Sequence, residues 1–124
     1  MSKKACILVD IHKTLISDNG AINYNMIDFI NYLSVKYIII LNTASYYKDF
    51  QELKKEVNKL NVHYTDIKYN TNELLQDDDL LVKEHIYNEI KLLYSVAFVI
   101  DNNKHVIKMF VNLGVDTLRF KKGQ

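Results

Sequence analysis

Three short stretches of the chain are apolar without interruption, and their length and spacing restrict the available folds more than any other feature. The first is Ala5-Cys6-Ile7-Leu8-Val9, and the others occupy residues 37–41 and 96–100. Each has strand length, is rich in Ile or Val, and lacks the alternation of a half-buried strand. A strand that is apolar on both sides must be covered on both faces, which is the situation inside a parallel sheet. Two weaker strand candidates, 62–69 and 115–120, bring the expected set to five.

Between these stretches the apolar period becomes helical. Tyr46, Phe50, Leu53, Val57 and Leu60 fall on one helical stripe, as do Met26, Ile30 and Leu33 before the second strand. Leu81, Ile86, Ile90 and Leu93 repeat the pattern before the fourth strand. Val106, Phe110 and Leu113 form a last stripe, ended by Gly114 in the position of a helix C-terminal cap. The expected order is βαβαβαβαβ. Such alternation predicts an α/β domain: a five-stranded, mainly parallel sheet, right-handed crossovers, helices on both faces, and ligands beyond the carboxyl ends of the strands.

A chain of 124 residues holds one domain with one core, read here as 1–124. Sixteen basic residues face fifteen acidic ones, so no global field draws the protein to nucleic acid or a membrane. Fifteen of those cations are Lys and only Arg119 is Arg, a skew that, with the absence of Pro, reads as codon bias rather than function. Cys6 has no partner for a disulfide, and no apolar stretch approaches the roughly 20 residues needed to span a bilayer. A reducing, cytoplasmic setting is the expectation.

Chemistry concentrates where strands end. Asp10 directly follows the first apolar stretch, with Thr14 four residues on, and Asp101 directly follows residues 96–100. If those strands are neighbours, the two carboxylates converge and can share a hard cation such as Mg²⁺. Thr43 ends the second strand, where its hydroxyl and the adjacent amide of Ala44 can hold a phosphoryl oxygen. Lys83 is placed in the first turn of the third main helix, where a cation is better tolerated beside an anion. Asp77, Asp78 and Asp79 are read as helix-capping residues rather than as a cation site.

Together these positions resemble the haloacid-dehalogenase (HAD) phosphohydrolase superfamily, a Rossmann-like three-layer fold. Its first motif, an apolar strand followed by Asp-x-Asp-x-Thr/Val-Leu/Val, is matched by Asp10, Thr14 and Leu15, with His12 in place of the second Asp. Its second is matched at residues 38–43 ending in Thr43, its third by Lys83, and its fourth by Asp101, with Asn102 where many members have a second Asp. The likeness is strongest to the phosphatase domain of phage polynucleotide kinases and related phage phosphatases, especially from Lys83 through Asp101-Asn102-Asn103 to Leu113-Gly114. Those relatives carry substrate-facing Arg residues where this chain has Ser45 and Asn103.

The resemblance implies a Mg²⁺-dependent phosphomonoesterase in which Asp10 attacks phosphorus to form an aspartyl phosphate. It places the metal on the Asp10 carboxylate, the backbone carbonyl of His12 and the Asp101 carboxylate. It places phosphoryl oxygens on Thr43, Ala44 and Lys83, and gives acid–base catalysis to His12. The alternative expectation is a catalytically impaired relative that binds a nucleotide, nucleic acid or protein. A phosphoreceiver domain ranks below both, because its paired acids after the first strand are missing. The short gaps after Leu15 and between Thr43 and Lys83 leave no room for a cap domain. An open site suits a large substrate such as a nucleic-acid end, unless a second subunit covers it.

Other features are given bland readings. Tyr46 is assigned to packing, with base stacking by Tyr46-Tyr47 as the lesser option. Lys54, Lys55 and Lys59 are read as a solvated helix face, and Arg119, Lys121 and Lys122 as a solvated tail. His63, His85 and His105 receive no role, lacking metal-ligand spacing with Cys6.

Overall fold

The computed structural model describes residues 2–121. The strands are β1 (Ala5–Asp10), β2 (Ile38–Tyr46), β3 (Asp66–Asn70), β4 (Ser95–Asp101) and β5 (Thr117–Arg119). The α-helices are α1 (Tyr24–Leu33), α2 (Phe50–Asn58), α3 (Asp79–Ile90) and α4 (Lys104–Asn112), with a single 3₁₀ turn at Glu73–Leu75. All strand pairs are parallel, in the spatial order β3-β2-β1-β4-β5. The α/β architecture expected from the apolar periods is therefore the one observed.

Period-two geometry divides the core between the two faces of the sheet. Along β1, Ile7 and Val9 join one cluster with Ile27 and Ile30 of α1 and Leu53 and Val57 of α2. Cys6 and Leu8 join the other, with Val82, Ile86 and Ile90 of α3 and Val106 and Phe110 of α4. This double coverage is why β1 tolerates no polar residue until Asp10. Each helix starts on a side chain that accepts from its free first-turn amides: Asn23, Asp49, Asp78 and Asn103. Asp78 thus caps α3, as its sequence context suggests.

Several expected boundaries move. Tyr46 is the last residue of β2, opposite Asn70 of β3, and α2 begins only at Phe50. The cause is Asp49, whose carboxylate accepts from Gln51 N at 2.9 Å and starts the helix there. Leu60 falls beyond α2 but stays buried. On α3 the face against the sheet is Val82, Ile86 and Ile90, whose i, i+4 spacing fits a straight helix, while Leu81 and Leu93 are exposed. Gly114 takes φ +80° just after α4, the left-handed conformation that glycine accommodates. Leu113, its neighbour, is exposed rather than core.

Connectivity locates the site. The chain moves outward from β1 to β2 and β3, then α3 carries it back across to β4 on the other side of β1. Strand order reverses between β1 and β4, and beyond the carboxyl ends of such a pair an α/β sheet forms its ligand crevice.

Candidate active site

Asp10 and Asp101 terminate the two strands that flank this reversal. Val9 pairs in register with Ile100, so the carboxylates that follow emerge side by side at the carboxyl edge of the sheet. Asp10 pairs on its other side with Asn42, and Asp101 pairs with Arg119 of β5. Both acids are buried, because the adjoining loops and α3 close over them.

Lys83 lies between them. Its Nζ donates to Asp10 Oδ1 at 2.8 Å, lies 3.1 Å from Asp101 Oδ2, and donates to Asn42 Oδ1. At 4% exposure its ammonium has given up nearly all contact with water, a large cost unless anions surround it. Burial opposes its charge, but the Asp10 and Asp101 carboxylates together hold its pKa above the ordinary lysine value. Lys83 is the fifth residue of α3, past the first turn in which the sequence placed it. What favours its charge is the carboxylate pair rather than the helix terminus.

The other oxygens are fixed as well. Asp10 Oδ2 accepts from Thr14 Oγ1 at 3.0 Å, and Asp101 Oδ1 accepts from Asn103 N at 3.0 Å. Thr14 is held by a tight turn in which Lys13 adopts φ +67° and donates its amide to Ile16 O at 2.7 Å. Buried Ile11 and Leu15 anchor this turn to the core. Burial pushes the Asp10 carboxyl up, Lys83 pulls it down and Asp101 pushes it up again, leaving it raised to about 6. With both acids ionised, the group of Asp10, Asp101 and Lys83 carries one uncompensated negative charge.

That surplus is the observation on which a cation can be judged. Among the described residues, no cluster of three or more His, Cys, Asp or Glu side chains is placed to hold a metal. Two convergent carboxylates are nevertheless a sufficient protein contribution for Mg²⁺, which typically takes one or two carboxylates and completes its octahedron with water and phosphate oxygens. The residues present fit such an ion.

His12 occupies a polarised chain of hydrogen bonds. Its Nδ1 lies 2.8 Å from Thr43 Oγ1, and its Nε2 lies 3.1 Å from the Tyr47 hydroxyl, which donates onward to Glu56 Oε2. Thr43 Oγ1 accepts from Ser45 N at 3.1 Å, leaving its own proton for His12. With Tyr47 donating to Glu56 and Thr43 donating to Nδ1, the network selects the tautomer with hydrogen on Nε2. Burial lowers the His12 pKa despite the opposing pull of Glu56, so the imidazole is neutral near pH 7.

These groups open onto a cleft of about 620 Å³ lined by Asp10, His12, Thr43, Ala44, Lys83 and Asp101, among others. The six residues singled out from the sequence for catalysis, phosphate and metal reach this one cleft, while Thr14 is buried behind Asp10. Four that sequence reasoning missed belong beside them. Asn42 holds Lys83, and its polar side chain breaking an apolar strand next to Thr43 was the available signal. Tyr47 and Glu56 anchor His12 from 35 and 44 positions away in the chain; Tyr47 was weighed only as a base-stacking residue, and Glu56 had no signal. Arg119, read as part of a solvated tail, is the last residue of β5 and lines the cleft. Lys121 is exposed, and Lys122 lies outside the described residues. His63, His85 and His105 are absent from the cleft lining.

No family model matches the chain, and no curated protein matches its sequence. Solved structures match its fold. A chain in a Pnkp1/Rnl/Hen1 RNA repair complex superposes with a TM-score of 0.84 at 18% identity, covering 98% of this chain and 44% of that one. A chain in another structure of the Pnkp1/Rnl/Hen1 complex gives a TM-score of 0.81 at 17% identity, covering 94% of this chain and 45% of that one. This chain therefore spans less than half the length of the chains it matches, and at such identities the similarity shows a shared α/β fold.

Proposed function

We propose that the protein is a Mg²⁺-dependent phosphomonoesterase of the HAD type, acting through an aspartyl phosphate on the terminal phosphate of a nucleic acid or nucleotide. The observation that carries this reading is buried Lys83 bridging Asp10 and Asp101, with Thr43 opening onto the same cleft. A lone strand-end carboxylate is commonplace. Two that converge on a buried ammonium at a strand-order reversal are what transfer of an anionic phosphoryl group calls for.

In this reading an Asp10 carboxylate oxygen forms a bond to phosphorus while the bond to the leaving oxygen breaks. Water then attacks the aspartyl phosphate, releasing inorganic phosphate and restoring the carboxylate. Lys83 holds an equatorial phosphoryl oxygen, Ala44 lines the same wall, and the Thr43 hydroxyl holds another when its proton turns from His12 Nδ1 to the phosphate. Once Nδ1 is free of Thr43, His12 takes up a proton there, gives it to the leaving oxygen and recovers one from the attacking water. Asp10, Asp101 and the backbone carbonyl of His12 would hold Mg²⁺, which when bound supplies charge neutralisation at the phosphate. The fold similarity to chains of an RNA repair complex supports a nucleic-acid end as the substrate, and the uncapped cleft is open enough for one.

A second reading, a phosphate-binding protein without turnover, draws on one observation: both ring nitrogens of His12 are engaged within the protein. Release of phosphate from an aryl phosphate with Mg²⁺, compared between wild type and Asp10→Asn, separates the two. Hydrolysis abolished by Asp10→Asn supports the enzyme, and the absence of Asp10-dependent turnover on any phosphomonoester removes it.

A further inference from the structure

The geometry points to a second anion subsite, formed by Arg119 and Lys13 where the reaction cleft meets an adjoining hollow, which holds the non-scissile phosphate of a substrate that carries one. The inference rests on the phosphomonoesterase reading of the cleft and names the substrate class it prefers.

Arg119 stands directly across from Asp101, yet Asp101 is committed to Lys83. Among the described residues, no carboxylate pairs with the Arg119 guanidinium. Its Nε instead donates to the Asn102 carbonyl at 3.2 Å, which fixes the planar group against the loop after β4. The terminal nitrogens, which make the two-pronged contact with phosphate, are left for a ligand. A guanidinium oriented by backbone and lacking a counterion on the wall of a reaction cleft is prepared for an anion.

Lys13 reaches the same place from the opposite side. The turn that sets Thr14 under Asp10 holds Lys13 in the left-handed region and puts its side chain on the cleft wall. Its one ion pair, with Asp18 at 3.8 Å, is solvent-exposed at both ends and exchanges readily for another anion.

Both cations are shared by the cleft and a hollow of about 500 Å³ beside it. The hollow's lining sets Lys13, Arg119 and Lys121 against one carboxylate, Asp18, and includes Phe120. A phosphate bonded to Asp10 would direct the rest of the substrate past Arg119 into this cationic hollow. A second phosphate, repelled by Asp10 and Asp101, finds its counter-charge there. That phosphate is either the phosphodiester of a nucleic-acid strand or the second phosphate of a small nucleotide.

The test compares kcat/KM for a nucleoside monophosphate, the matching 3′,5′-bisphosphate and a dinucleotide ending in one phosphate. Wild type should prefer one or both of the substrates with a second phosphate, and Arg119→Ala should reduce that preference about tenfold, in line with loss of a charge-assisted contact. Preference for the dinucleotide alone identifies a strand, and preference for the bisphosphate alone a small nucleotide. Arg119→Lys should recover part of the preference. Lys36→Ala, which removes the same charge before β2 at the other edge of the sheet, should leave it within twofold. Calorimetric binding of the 3′,5′-bisphosphate in EDTA should weaken at least fivefold in Arg119→Ala, whether or not the protein turns over. Binding that depends on Arg119 without hydrolysis keeps the subsite and removes the esterase. Hydrolysis with unchanged preference in Arg119→Ala, or binding by wild type of neither the bisphosphate nor the dinucleotide, overturns the subsite.

Discussion

The Tyr47 hydroxyl lies 3.1 Å from His12 Nε2 and donates its own hydrogen bond to Glu56, so one phenol sets both the tautomer and the orientation of the imidazole. Tyr47→Phe removes this anchor while keeping the ring that packs on the core. The variant should lose about 1 kcal/mol in urea denaturation. If the protein is the phosphatase proposed above, the variant's kcat should fall with little change in KM, because in that mechanism His12 transfers protons and does not bind substrate. An unchanged kcat would show that imidazole orientation does not matter to the reaction.

His12 stands where the HAD pattern has an acid. His12→Ala should lower kcat by about 10²–10⁴-fold, the usual worth of general acid–base help. His12→Asp should restore an acid at that point and retain more activity than His12→Ala in a steady-state assay at pH 6–8. If the two variants are equally inactive, the position has no proton-transfer role.

Among the described residues, Lys83 is the only cation between the two buried carboxylates. Lys83→Met keeps most of its volume but leaves both acids unpaired, and should cost about 3–5 kcal/mol of stability at pH 7 in metal-free buffer. Lowering the pH toward 5 should recover part of this loss, since protonating the carboxyls removes the repulsion. Equal stability of wild type and variant at both pH values would contradict the ion-pair account.

Mg²⁺ should stabilise the folded state by occupying the same pair of acids. At about a hundred times its dissociation constant the gain is about 2.7 kcal/mol, visible as a rise in Tm. Asp101→Asn should abolish most of the rise. A Tm increase that persists in that variant would place the ion elsewhere.

Cys6 is fully buried in β1, and burial pushes its thiol up to about 11, from an ordinary value near 9. The unfolded chain therefore ionises first, and the stabilising contribution present below pH 9 is lost as the pH rises toward 11. Urea denaturation should show a shallower alkaline loss in Cys6→Ala than in wild type. The native thiol should also react with a disulfide reagent at pH 8 only at the rate of unfolding.

Much of the fold was legible because burial on two sheet faces leaves a local signature. Uninterrupted apolar stretches marked β1, β2 and β4, and strand-end polarity marked Asp10 and Asp101, whereas Thr43, expected to end β2, lies within a strand that runs on to Tyr46. Lys83 was legible through its resemblance to a family motif, although its placement in the helix was off by part of a turn. Boundaries were less legible where a cap competed with periodicity. Tyr46 continued the apolar stripe of α2 in the sequence, but Asp49 starts that helix and leaves Tyr46 in β2.

By itself, the sequence determined the alternation of strands and helices and which polar residues end the central strands, since both follow from local periodicity and the demand that buried strands be apolar. The tertiary structure alone decided that β4 returns beside β1, so that Lys83 bridges Asp10 and Asp101. It alone set Tyr47 and Glu56 behind His12 and turned Arg119 from an expected tail residue into a wall of the cleft. Those relationships join residues far apart in the chain, 35 positions for His12 and Tyr47 and 73 for Asp10 and Lys83, and which of them meet is fixed by strand order and register across the whole sheet, which no local stretch encodes.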